Sequence, residues 1–123
     1  MVDVLMWRRK ICEGLDGVID EKFQRDAWFG KSKYISSPDE EYNMIFSDFG
    51  VEEFIASPEV ALHASQKMAG NQLVEKMRYF AKLIGPGMPP DKVIDHAVWA
   101  EVRQAAKRFS DLLECKKCDG TQQ

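Results

Sequence analysis

Residues 94–113 read IDHAVWAEVRQAAKRFSDLL. Ile94, Val98, Val102, Ala105, Phe109 and Leu112 recur at steps of three and four, with Trp99, Ala106 and Leu113 beside them. That spacing gathers side chains on one face of a helix, whereas a half-buried strand would alternate with period two. The stretch therefore predicts an amphipathic helix whose apolar stripe needs partners to cover it.

Those partners lie upstream and carry the same period. Leu73, Met77, Phe80 and Ile84, flanked by Val74 and Ala81, form a second stripe that stops at Gly85-Pro86-Gly87-Met88-Pro89-Pro90, a loop signature. Val4, Trp7, Ile11, Leu15 and Val18 form a third, which Ile19, Phe23 and Ala27 extend. Gly14 and Gly17 each cost about 1 kcal/mol inside a helix, so a break between them is expected, with Asp16 capping the second piece. Residues 31–37 read as a connection. Ser37-Pro38-Asp39-Glu40 is a strong helix start: Ser37 accepts from the N3 amide, Pro38 presets φ and Glu40 reaches back. That helix should run from Glu41 to about Phe49 and end at Gly50, with a short turn or helix over 51–56. Ser57-Pro58-Glu59 repeats the Ser-Pro-acid start. No segment alternates with period two over more than a few residues. The expectation is an all-α fold, a single compact bundle of four to five helices over residues 1–123, with 115–123 a frayed tail.

The 123 residues suit one domain, and an apolar fraction of 45% beside 30% charged residues is that of a globular chain. No apolar run approaches the roughly 18 residues that span a bilayer, and the bases in MVDVLMWRRK follow the apolar stretch, the wrong order for a secretory signal. A cytoplasmic protein with reduced thiols is expected, since three cysteines cannot all pair within one chain.

Charge is sorted along the sequence. From Tyr34 to Gln66 there is no Lys or Arg, and seven acids stand there: Asp39, Glu40, Glu41, Asp48, Glu52, Glu53 and Glu59. The segments on either side are net positive, although the whole chain carries −3. Tyr42, Phe46 and Phe49 fall at steps of three and four, so they should face the core and turn the acids outward. Like charges on neighbouring turns repel by a few tenths of a kcal/mol per pair, and no local base relieves them. Asp39 and Glu40 also have a plain structural use, since a helix N-terminus favours negative charge.

Catalytic patterns are missing. Gly85-Pro86-Gly87 lacks the lysine and hydroxyl of a phosphate loop, and no serine sits in a nucleophile elbow. His63 and His96 are far apart in sequence. Adjacent acids such as Glu40-Glu41 and Glu52-Glu53 point to different helix faces, and no Glu-x-x-His pair offers a di-iron site. Cys115-Lys116-Lys117-Cys118 is a CxxC pair at a helix end. A zinc site there would have to recruit Cys12 or a histidine, and a solvated helix end with free thiols is the plainer reading. The bases are scattered among acids without an aromatic platform, so no nucleic-acid binding is expected.

The acidic stretch FSDFGVEEFIASPEV (46–60), followed by PPDKVIDHAVWAEVRQAAKRF (89–109), resembles small bacterial immunity proteins of contact-dependent growth inhibition and related polymorphic nuclease-toxin systems. The resemblance covers roughly residues 37–110. It implies a non-enzymatic antitoxin that binds a basic, RNA-cleaving toxin domain and blocks its active site. Residue pattern and resemblance together give the expectation of an acidic binder, monomeric or weakly dimeric and without cofactor. Its partner-binding residues would be Asp39, Glu40, Glu41, Asp48, Glu52, Glu53 and Glu59. Two other readings remain: a phage-type nucleic-acid mimic acting on a host protein, and a small metal-binding protein using Cys115 and Cys118.

Overall fold

The computed structural model describes residues 3–115, and the chain is helical, with no strand among those residues. Three long helices dominate: α1 (Val4–Ile19), α5 (Ala64–Ile84) and α7 (Ala97–Leu113). Shorter pieces are α2 (Glu21–Ala27), α3 (Pro38–Asn43), α4 (Val51–Ala56) and α6 (Pro90–Val93). The all-α expectation holds, with the short pieces adding to the expected four or five helices.

The α7 stripe is present, but its deepest line is displaced by one residue. Trp99, Val102, Ala106, Phe109 and Leu113 are buried, while Val98, Ala105 and Leu112 are only partly covered. This line packs along α5, whose Leu73, Val74, Met77 and Phe80 are buried as their spacing predicts. α1 lies against α7 and contributes Ile11, Leu15 and Val18, each fully buried.

α1 does not break at its glycines. It runs unbroken to Ile19, and the chain turns at Asp20, whose side chain accepts from the Phe23 amide at 2.9 Å and caps α2. Gly14 and Gly17 are instead places of close approach. A Cβ at Gly14 would stand 2.6 Å from Ile45 Cδ1, and one at Gly17 would run into the Glu41 carboxylate. Packing decides against the cost of glycine in a helix, because only the absent side chains let the acidic segment lie this close.

Ser37 caps α3 as expected, accepting from the Glu40 amide at 3.1 Å, with Pro38 at the first helical position. Past Asn43 the helix widens into a π-wound turn over Met44–Asp48 and ends at Gly50, in the left-handed region at φ 61°. The second Ser-Pro-acid motif starts no helix. The Ser57 Oγ accepts from the Glu59 and Val60 amides, and the chain then passes through Ala61 at φ 55°, a conformation that cannot continue a helix. α5 begins three residues later, at Ala64, with the Gln66 side chain accepting from the His63 amide at 2.8 Å.

The expected frayed end is corrected at its first residue. Cys115 is buried at 4% exposure and forms a disulfide with Cys12 of α1. The expectation of reduced thiols is overturned for this pair. Cys118 and the remainder of the predicted tail lie outside the described residues.

Candidate protein-interaction face

The acidic segment wraps one side of α1, and the indole of Trp7 holds its middle by donating to the Phe49 carbonyl at 2.7 Å. Ile45, Val51 and Phe54 are fully buried, and Trp7 meets the Phe54 ring edge-on. Tyr42, Phe46 and Phe49, expected at the core, are only partly buried against it. The widened turn rotates the register, so that Ile45 and not Phe46 takes the inner position.

The seven acids separate into three groups. Glu40, Asp48, Glu52, Glu53 and Glu59 are exposed. Asp39 is half-buried in the first turn of α3. Glu41 is buried at 4% exposure, which removes it from the outward face where the sequence had placed it. Its carboxylate accepts from the Ser36 hydroxyl at 2.7 Å and lies over Gly17. Burial pushes its pKa above the ordinary 4.5; the Ser36 hydrogen bond partly opposes the shift, and neighbouring Glu40 adds to it.

The segment also receives a base from elsewhere. Arg78 of α5 pairs with Glu52 and stacks its guanidinium over the Phe46 ring, 4.7 Å from the centroid. The carboxylate of Glu52 raises the Arg78 pKa, chiefly through this hydrogen bond. The pair is half-exposed on both sides, so its net contribution to stability is small. Its effect on the face is larger, because it leaves Glu52 the partly neutralised member of the exposed set.

Two of the residues weighed for chemistry, His96 and Cys115, make structural contacts. His96 Nδ1 accepts from the Val98 amide at 3.0 Å, and its ring meets Phe80 edge-on. His63 stands at the start of α5. Cys115 is tied to Cys12, so a zinc site built on its thiolate does not fit this arrangement. Among the described residues no group of three or more His, Cys, Asp or Glu side chains is placed to hold a metal ion. None of the described helices is long and apolar enough to cross a membrane.

Sequence reasoning missed the buried polar side chains. Gln24, fully buried, donates to the Gly17 and Val18 carbonyls at the end of α1 and accepts from the Trp99 indole at 3.1 Å. It joins three helices through one amide. Its place three residues from Ala27 on the apolar side of α2 was the available signal.

A family profile described as "Domain of unknown function (DUF7945)" matches residues 2–121, nearly the whole chain. The chain belongs to the DUF7945 family. No curated protein and no solved structure matches it. For this DUF7945 chain, the arrangement offers a firmly seated surface of exposed carboxylates.

Proposed function

We propose that the protein is an immunity or antitoxin protein, a stoichiometric binder that neutralises a basic nuclease toxin by occupying its active-site surface. The observation carrying this reading is the base-free stretch 34–66, with Glu40, Asp48, Glu53 and Glu59 exposed on a backbone anchored to the core by Trp7, Ile45 and Phe54. Carboxylates on a rigid scaffold present negative charge where substrate phosphates would otherwise sit, and they steer a cationic partner into contact. The Arg78–Glu52 pair shifts the weight of recognition onto Asp48 and Glu53. Asp39 stays with the helix start, where its charge suits the dipole. The same proposal makes the protein non-enzymatic and cytoplasmic.

The test is capture at low salt from the native cell with the purified chain, followed by assay of what is eluted with salt. The expected result is a basic protein with RNA-cleaving activity that falls to background at a one-to-one ratio of added chain. A captured partner without nuclease activity would overturn the toxin reading. A host nucleic-acid-binding protein in its place would favour mimicry of nucleic acid by the same face.

A further inference from the structure

Cys12 and Cys115 are separated by 103 residues, lie 5.5 Å apart at Cα, and are both nearly buried. Their bond ties the first long helix to the end of the last. Other contacts converge on the same turn of α7: Arg8 of α1 donates to the Leu113 carbonyl, and Gln66 of α5 donates to the Leu112 carbonyl at 3.0 Å. Glu114 closes the helix in the left-handed region, φ 57° and ψ 44°, and so turns Cys115 back toward α1. A non-glycine residue persists in that conformation when its surroundings hold it there.

The opposite side of α1 holds the acidic segment. Trp7 bonds the Phe49 carbonyl, Ile45 and Phe49 close on Gly14, and Glu41 closes on Gly17. Cys12 thus lies on the helix that seats Asp48, Glu52 and Glu53, between the turn that seats them and the end of α7.

We propose that the Cys12–Cys115 pair is a redox clasp on α1 that sets how firmly the acidic segment is held. A dithiol opens it by giving up two electrons and two protons. The sulfur–sulfur bond breaks, both cysteines become thiols, and the reductant leaves as its cyclic disulfide. A disulfide oxidant reverses the step, taking up the two electrons and two protons to become a dithiol, and fixes α1 between α7 and residues 44–56. As regulation of binding this rests on the acidic face being the recognition surface; as a clasp on the fold it does not, and the experiment reads the fold.

The experiment is hydrogen exchange on the full chain, air-oxidised and then with excess dithiothreitol, after peptide mapping for a Cys12–Cys115 crosslink. The expected result is a crosslinked peptide, a Tm lower by roughly 10 °C or more on reduction, as opening a loop this long implies. Amides in α1, residues 44–56 and the last turn of α7 should exchange at least ~10-fold faster, while the centre of α5 changes much less. C12S without reductant should reproduce the reduced pattern, and C118S should keep the oxidised one. Absence of the crosslink, no change on reduction, or equal acceleration in every helix would each overturn the proposal. Equal acceleration would reduce the bond to a staple of the whole fold.

Discussion

Burying Glu41 makes its charge the costly part of the side chain. Its pKa is raised above 4.5, chiefly by burial, so the folded state holds the proton more tightly than the unfolded chain does. The stabilising contribution is therefore fully present below pH 4.5 and is lost as pH rises through the raised folded value. Glu41→Gln keeps the volume and an acceptor for the Ser36 hydroxyl while removing the ionisable group. Near neutral pH it should raise Tm, because the charge that burial penalises is gone. Below pH 4.5 the two proteins should melt together. A shift of equal size at both pH values would mean that packing, and not ionisation, distinguishes them. The position was unreadable from sequence because its two determinants, the Ser36 hydroxyl and the space above Gly17, are set by how α3 docks on α1. Spacing placed Glu41 only one residue from a predicted core stripe.

At the scale of elements, α1 and α7 show what periodicity determines and where it stops. The steps of three and four identified the helix and the apolar side of both. They did not separate Val98 from Trp99, or Phe46 from Ile45, since neighbouring apolar residues fit one wide stripe equally well. The π-wound turn then shifted the acidic segment's register in a way no local signal announced. The glycines of α1 were misread for a related reason: helix propensity is local, whereas their use is the distance to another element. Gly14→Ala separates the two effects. Propensity alone predicts a gain of about 1 kcal/mol. The added methyl, 2.6 Å from Ile45 Cδ1 and 3.0 Å from Phe49 Cδ2, predicts an overpacking cost of roughly 1–3 kcal/mol. Ile45 is fully buried and has little room to yield, so net destabilisation in chemical denaturation is expected. A more stable variant would show that the segment moves away without penalty.

For the whole molecule, the sorting of charge visible in the sequence survives folding in altered form. One acid of the seven is buried, one is half-buried and one is paired with Arg78, leaving a smaller exposed set than the composition implied. The Cys12–Cys115 pairing was out of reach of sequence, because a separation of 103 residues leaves no local trace. Rim carboxylates act mainly on the association rate and its salt dependence, and at about 0.15 M salt their field reaches roughly 8 Å, so clustered acids outperform scattered ones. The decisive measurement is the association rate with the captured partner, across a salt series, for two charge-reversed variants. One reverses Glu40, Asp48, Glu53 and Glu59 to lysine; the other reverses Asp3, Glu75, Glu101 and Asp111, which are exposed elsewhere. The acidic-face variant should associate at least ~100-fold more slowly and lose most of its salt dependence, as loss of steering implies, with its helical circular-dichroism signal intact. The control should stay within a few-fold of the parent. Equal slowing in both variants, or none in either, would contradict recognition by this face.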